Sequence, residues 1–265
     1  MTYVSKIYKD EPIIENSRDS SASMPSGLSK GLKERDLSRF PMYGFAKQVD
    51  IPIIPRSDWS ERIREIEESE SRLSDLSYAE GLLCKNQGQT NYCWSNSIVY
   101  CVELVRMSMG LGIKYLSPAS VAAPIKNYKN SPGFASEALE YIIDKGIVPE
   151  ENWPANSRDK GLMYPENEKR AKQYKVTEWY DISQRNFEQL MTCLLLRIPA
   201  AVGYMWWGHQ VCAVDPISLG EDVYGIRIRN SWGMDYGKDG YAIIKENLAR
   251  PDDSVAPRVA KAYRK

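Results

Sequence analysis

The chain has 265 residues, of which 43% are hydrophobic and 11% aromatic, enough for one large domain or two small ones. Its 35 basic and 35 acidic residues give a formal net charge of zero, which argues against nucleic-acid or anionic-membrane partners. No apolar run approaches the roughly 20 residues of a membrane span, and no hydrophobic signal-peptide segment follows Met1.

The cysteines give a second compositional indication. There are five, an odd number at irregular spacings, which is not the pattern of a disulfide framework. No CxxC pair indicates zinc. We therefore expect a reducing, cytoplasmic setting, no metal site and no cofactor.

Residues 1–50 are rich in Ser, Gly, Pro and charged side chains, a composition that buries little apolar surface. We expect a polar N-terminal arm held by a protein partner, by a large assembly or by the chain's own main domain. We interpret residues 51–79 as a linker and a surface helix capped by Ser60. The main domain is then 80–250, and 251–265 is a C-terminal tail.

Helical patterns come first in the main domain. Ile98–Met109 is apolar on most faces, which predicts a central buried helix. A short helix follows Ser117, and a third is predicted for Ser136–Lys145, ended by Gly146. From Val176 onwards the pattern favours short strands, namely Ala200–Tyr204, Gln210–Val214, Gly225–Arg229 and Gly240–Ile244. Helices followed by strands predict an α+β fold of two lobes, with a site in the cleft between them.

Cys93 stands where the polar loop from Asn86 meets this apolar helix. A thiol at a helix N-terminus lies near the positive end of the backbone dipole, which favours the thiolate. Gln87, six residues upstream, can fold its amide back beside the sulfur. An amide donor and a backbone N–H beside a nucleophile form an oxyanion hole.

His209 is the chain's single histidine and begins a predicted strand. A lone histidine among aromatic residues is often a packed ring, but a thiol nucleophile needs a base and imidazole is the usual one. Asn230 follows a later strand and could orient the ring through its carbonyl oxygen. It could equally be a turn residue. Trp232 would shield the bond to Asn230 from water.

Three segments together resemble the papain-like cysteine peptidases over about residues 80–246. They are the Asn86–Trp94 loop, the strand around His209, and Asn230–Tyr241 with its N-S-W-G and G-x-x-G-Y pattern. The resemblance implies a two-lobed α+β fold. Its left lobe is helical, with the cysteine on a central helix, and its right lobe is an antiparallel β-sheet or barrel.

The resemblance also implies roles. Cys93 would be a thiolate nucleophile paired with the His209 imidazolium, and Asn230 would orient that ring. Gln87 and the Cys93 N–H would stabilise the oxyanion. A peptide or protein substrate would bind along Gly133 and Phe134, flanked by Trp94 and Trp232.

Some features depart from the family pattern. Thr90 stands where relatives usually carry a disulfide-bonded cysteine, and the stretch before His209 is short. The short polar arm is similar to that of bacteriophage proteins, so host cytoplasm or a virion is the expected setting. We expect a thiol peptidase acting on peptide or isopeptide bonds, whose arm can occupy the cleft and inhibit it. The alternatives are a virion assembly protein with this fold and an amidase or transferase acting on non-peptide amides.

Overall fold

The computed structural model describes residues 3–42, 51 and 53–260. Its helical half contains the elements that position the cysteine. Among the described residues the α-helices are α1 (Arg56–Glu68), α2 (Leu73–Glu80), α3 (Cys93–Ser108), α4 (Ala119–Ile125), α5 (Ala135–Asp144), α6 (Pro165–Ala171) and α7 (Phe187–Leu195). None of the helices in these ranges is long and apolar enough to cross a membrane.

The strands form one sheet whose order is β1-β6-β5-β4-β3-β7-β2. β1 pairs parallel with β6, and the other neighbours are antiparallel. The bounds are β1 (Ile13–Ile14), β2 (Val176–Asp181), β3 (Ala200–Tyr204), β4 (His209–Gly220), β5 (Val223–Arg229), β6 (Tyr241–Lys245) and β7 (Asp253–Ala260). The α+β fold class predicted from the sequence is confirmed.

Two hydrophobic cores lie on opposite faces of this sheet, because successive strand side chains point to opposite sides. In β3, Ala201 joins the core built around α3, α4 and α5, whereas Ala200 and Val202 join the core of α1 and α7. The helix α3 is buried along nearly its whole length. The central buried helix expected from the sequence is therefore present, and it starts at Cys93 itself.

The described part of the arm packs on the chain's own sheet and cleft. Its strand β1 extends the sheet edge at β6. Close by, Glu11 accepts two hydrogen bonds from the fully buried Arg227, at 2.7 and 2.8 Å. Burying one of these charges without the other would be strongly unfavourable. Residues 3–42 of the arm thus pack on the same sheet and core as the rest of the described chain.

Element boundaries differ from the sequence interpretation at two places. Ser60, expected to cap a helix, lies inside α1, which begins at Arg56 because Pro55 is extended and can stand at the boundary. The tail expected from residue 251 contains β7, which pairs with both β2 and β3. The sequence pattern does not predict this inner strand, because β7 contains Pro257 and proline is normally confined to edge strands. Residues 43–50 of the arm and 261–265 of the tail lie outside the described residues.

Candidate active site

Cys93 is the first residue of α3, and its side chain is fully buried. Burial raises the pKa of its thiol to about 12, although the neighbouring backbone N–H groups of Gln210 and Gly31 act to lower it. Burial therefore favours the thiol over the thiolate expected from the helix N-terminus. Desolvation of the sulfur outweighs the favourable dipole.

His209 opens β4 and meets Asn230 at the end of β5. The His209 Nε2 and Asn230 Oδ1 atoms lie 2.7 Å apart. Trp232 stacks on the imidazole with ring centroids 4.4 Å apart, and Trp207 contacts it edge-on at 5.0 Å. These contacts fix the ring and exclude water from its bond to Asn230.

The other ring nitrogen, His209 Nδ1, is buried without a hydrogen-bond partner among the described residues. Because Asn230 Oδ1 only accepts, Nε2 carries the proton and Nδ1 is the free base. Burial lowers the pKa of His209 to about 3, with Asn230 acting in the opposite direction and Lys30 adding to the decrease. Burial therefore favours the neutral imidazole in the covered site, and the imidazolium implied by the resemblance stays a prediction for the open one.

Gln87 is held in the loop before α3 by bonds to both ends of its side chain. Ser231 Oγ donates to Gln87 Oε1 at 2.5 Å. Gln87 Nε2 donates to the carbonyl oxygens of Thr90, at 2.7 Å, and Ser29, at 3.0 Å. Trp232 Nε1 donates to the same Ser29 oxygen at 3.1 Å. The predicted oxyanion donor thus has a carbonyl oxygen from the arm in front of it.

This carbonyl belongs to a segment of the arm, residues 28–35, that crosses the site and that we call the strap. The Gly133 N–H donates to Gly31 O at 2.9 Å, and the Lys33 N–H donates to Gly133 O at 2.8 Å. These bonds form a parallel bridge between Leu32 and Gly133. Gly133 therefore binds extended backbone of its own chain, and its binding of a substrate stays a prediction.

The strap covers the sulfur without presenting a bond to cleave. At Cys93 it offers the N–H of Gly31, and an N–H is not an electrophile. The next side chain, Lys30, is half-buried; burial lowers the pKa of its ammonium, while the Cys93 sulfur acts to raise it. The strap is bound as an occluding segment with a neutral thiol and a neutral imidazole beneath it.

The strap is fixed at its C-terminal end by Arg35. Its guanidinium makes a two-bond ion pair with Asp181, at 2.7 and 2.9 Å, and lies 3.6 Å from Asp253. All three side chains are almost completely buried. A little further on, Phe40 packs edge-on against Phe134 with ring centroids 5.1 Å apart.

Of the sequence-predicted residues, His209 contacts Asn230 and Trp232, and the backbone N–H of the next residue, Gln210, faces the Cys93 sulfur. Their catalytic roles stay predictions, and two of the predicted substrate-binding residues are not exposed. Phe134 is covered by the arm, and Trp94 is fully buried beneath Gly133, where it supports that backbone from below. Sequence reasoning missed Ser231, which holds Gln87, and Arg35 of the strap. Ser231 could have been found from its place in the N-S-W-G segment, whereas nothing in the arm's composition distinguishes Arg35. Within the described residues no cluster of His, Cys, Asp or Glu could hold a metal ion.

Comparison with known proteins identifies the family and the fold. Residues 80–213 match the family described as papain family cysteine protease. Cathepsin K of Gallus gallus is 25% identical over 187 residues, which cover 62% of this chain and 55% of that protein. The match thus spans about half the length of that relative.

Two solved structures have a similar fold. Xylellain, a cysteine protease from Xylella fastidiosa, has a TM-score of 0.57 at 19% identity, covering 69% of this chain and 84% of that one. The bromelain protease from Ananas comosus, in complex with the E64 inhibitor, has a TM-score of 0.59 at 19% identity, covering 71% and 97%. The expected papain-like fold is confirmed.

Proposed function

The chain belongs to the papain family of cysteine proteases, and we propose that it hydrolyses peptide bonds with Cys93 as nucleophile. The observation that carries the proposal is the 2.7 Å contact between His209 Nε2 and Asn230 Oδ1. It leaves Nδ1 as an imidazole nitrogen able to take a proton. If His209 were only a packed ring, we would expect Nδ1 to have a hydrogen-bond partner as well. It has none among the described residues.

The reaction follows from these groups once the strap has left the cleft. His209 Nδ1 takes the Cys93 proton, and the resulting thiolate attacks the scissile carbonyl carbon. Gln87 Nε2 and the Cys93 N–H then bind the oxyanion. In the covered site the Ser29 carbonyl oxygen accepts the Gln87 Nε2 hydrogen bond instead. Collapse of this intermediate breaks the C–N bond, and His209 protonates the leaving amine. Water, deprotonated by His209, then hydrolyses the thioester.

We infer that the strap-covered chain is a latent form. Strap displacement rehydrates the site, which returns the pKa of the Cys93 thiol downwards and that of His209 upwards. Proton transfer from sulfur to imidazole then becomes favourable. We infer that peptidase activity depends on release of residues 28–35 from Gly133 and Gln87.

The assembly alternative uses the arm to bind neighbouring subunits. Residues 3–42 instead contact the chain's own sheet and cleft, which supports the peptidase. A separate partner for the arm, the cytoplasmic or virion setting, a bacteriophage source and action on isopeptide or non-peptide amide bonds stay predictions.

The test is hydrolysis of a fluorogenic peptide mixture by the full chain carrying Gly31→Ala, which displaces the strap. We expect turnover that Cys93→Ala, added to the same chain, eliminates. Equal turnover in both chains would contradict Cys93 as nucleophile. If a thiol-directed epoxide fails to label Cys93 in the displaced chain and no peptide is cleaved, the assembly reading is favoured.

A further inference from the structure

Two cysteines that the proposed reaction does not use are in contact inside the domain. The Sγ atoms of Cys101 and Cys212 lie 3.1 Å apart, and both side chains are fully buried. Sulfur is larger than carbon, yet this separation is shorter than the roughly 3.5–4.0 Å at which carbon atoms make van der Waals contact. The two sulfurs are therefore closer than the packing of two separate thiols requires.

This contact joins the helix that begins with the proposed nucleophile to the strand that begins with the proposed base. Cys101 lies on α3, eight residues after Cys93, and Cys212 lies on β4, three residues after His209. Ala201, which pairs with Cys212 across β3 and β4, faces the same core. A bond between the two sulfurs would therefore link α3 covalently to the sheet on which it packs.

The two thiols are placed for a disulfide bond. Such a bond brings the sulfurs to about 2.0 Å, so each sulfur would have to move by about 0.5 Å. A displacement of about 0.5 Å is ordinary for an atom in a well-ordered protein. The Cys212 thiol lies 3.6 Å from the carbonyl oxygen of Ala213, and when it donates there, the Cys101 S–H donates to the Cys212 sulfur. Bond formation thus requires no movement of the helix or the strand.

The other cysteines have different surroundings. Cys193 lies in the core on the opposite face of the sheet, and the Cys84 sulfur donates to backbone carbonyl oxygens. Cys93 lies under the strap at the start of α3. The structure therefore selects Cys101 and Cys212 as a pair. The irregular cysteine spacing did not predict this pair, because its members are 111 residues apart.

Burial determines when a bond between these sulfurs can form. Thiol–disulfide exchange needs a thiolate, and burial raises the pKa of the Cys212 thiol well above its ordinary value. The closed core also keeps a dissolved oxidant away from both sulfurs. Before α3 packs on β4 the same thiols are exposed to solvent and ionise in the usual range. Oxidation of the pair is therefore expected while the chain folds or when this core opens.

We propose that Cys101 and Cys212 form a disulfide bond when the chain folds in the presence of a small-molecule disulfide. The thiolate of one cysteine attacks the small disulfide, forms a mixed disulfide and releases one small thiol. The second cysteine then attacks the sulfur of the first, which closes the bond and releases the second small thiol. The two electrons and two protons that the pair loses reduce the small disulfide to two thiols. The proposal goes beyond the peptidase function and does not depend on it.

The bond would stabilise the domain chiefly by restricting the unfolded chain. It joins positions 111 residues apart, and a long closed loop removes much of the conformational freedom of the unfolded state. It would also fix α3 against β4 at a point about 12 Å along the helix from Cys93. We expect the Tm of the cross-linked chain to exceed that of the reduced chain by about 5–15 °C.

The first test counts free thiols after refolding. The full wild-type chain is reduced, unfolded in urea and refolded either with glutathione disulfide and glutathione or with excess dithiothreitol. It is then denatured in N-ethylmaleimide. All five cysteines are free in this structure, so we expect five labels after refolding in dithiothreitol and two fewer after refolding with glutathione disulfide. Peptide mass spectrometry should find the two unlabelled cysteines, Cys101 and Cys212, joined to each other.

Two alanine variants are the controls. Cys193→Ala removes a cysteine buried in the other core, so this variant should still lose two labels on oxidative refolding. Cys212→Ala removes one member of the pair and should lose none; Cys101→Ala gives the same measurement if Cys212→Ala does not fold. A glutathione adduct is recognised by its added mass and is counted with the free thiols.

Three outcomes of the labelling would overturn the proposal. One is a folded wild-type chain that keeps all five labels under both conditions. The second is a bond from Cys101 to a cysteine other than Cys212, or a loss of two labels in Cys212→Ala. The third is a wild-type chain that refolds in dithiothreitol but not with glutathione disulfide, because oxidation would then be incompatible with the folded core.

The second test compares the Tm of the two folded wild-type preparations. The oxidised preparation should melt about 5–15 °C higher, whereas Cys212→Ala should have the same Tm after both refolding procedures. An equal or lower Tm for the cross-linked wild-type chain would contradict the claim that the folded core holds the two sulfurs in bonding position. Neither test measures peptidase activity, so an absence of hydrolysis would count against the proposed function alone.

Discussion

Gly31→Ala tests whether the strap occludes the nucleophile. A Cβ at Gly31 would lie 2.1 Å from the carbonyl oxygen of Asn91 and 2.4 Å from its carbonyl carbon. Both are backbone atoms of the loop leading into α3, so neither can rotate aside as a side-chain tip would. The strap must therefore move away from Cys93 to accommodate one methyl group.

The contacts that hold the strap give the size of the expected change in Cys93 exposure. Two backbone hydrogen bonds to Gly133 and two side-chain hydrogen bonds to the Ser29 carbonyl oxygen are at stake. At a net ~0.5–1.5 kcal/mol each they sum to about 2–6 kcal/mol, and overpacking of this kind typically costs about 1–3 kcal/mol. If the free energy that favours the closed strap falls by about 2 kcal/mol, the population in which Cys93 is exposed rises about 30-fold.

The assay is the alkylation rate of Cys93 by iodoacetamide, followed by peptide-resolved mass spectrometry. Cys193, buried in the other core, reports global unfolding in the same sample. Gly27→Ala is the matched control, since a Cβ there meets nothing within 4 Å, although its φ of +79° adds some strain. A Cys93 rate within twofold of wild type, in a folded Gly31→Ala chain, would refute the occlusion argument.

Three further predictions concern the base, its orientation and the arm. The pKa of His209 in the folded chain, about 3, lies below its ordinary value of 6.5. The stability gained by burying the neutral ring is therefore fully present above pH 6.5 and is lost as the pH falls from 6.5 towards 3. Between pH 6.5 and 4.5 the wild type should lose about 2 kcal/mol more unfolding free energy than His209→Gln; parallel pH curves would contradict this. In the strap-displaced chain, His209→Ala should lower kcat/KM by about 100-fold or more. The loss caused by Asn230→Ala should be about ten times smaller than that. Equal losses for the two variants would show that Asn230 does more than orient the ring. Glu11→Ala should lower the urea unfolding free energy by about 2–3 kcal/mol, because the buried Arg227 loses two charge-assisted hydrogen bonds and keeps Asp215, at 3.4 Å, and Ser74. The exposed Glu15→Ala should cost under about 0.5 kcal/mol, and similar values for both would contradict the anchoring role.

Elements with a strong local pattern could be predicted from the sequence. The apolar faces around Ile98 predicted α3, and Ala200–Tyr204 matches β3 at both ends. The strand β1 has only two residues and depends on β6, more than 220 residues later, for its partner. Two residues show no hydrophobic periodicity, so the pairing of β1 with β6 could not be predicted from the local sequence.

The candidate site was predictable where chemistry restricts the choice of residue. One imidazole in the chain leaves one candidate base, and Cys93 stands at a recognisable loop-to-helix junction. The strap was not predictable in detail, because its contacts join Gly31 to Gly133 across about a hundred residues. The effect of burial on the two titrating groups was not predictable for the same reason. Burial by a distant segment sets the pKa of both groups, and burial is a tertiary property.

The central claim is that His209 takes the proton of Cys93 once the cleft is open. The most direct measurement is the pH dependence of Cys93 alkylation in the Gly31→Ala chain with and without His209→Ala. The account predicts substantial alkylation well below the ordinary thiol pKa of about 8.5, lost on removal of the imidazole so that the rate rises only near that value. Superimposable profiles for the two chains would contradict it, since the sulfur would then ionise without help from the ring.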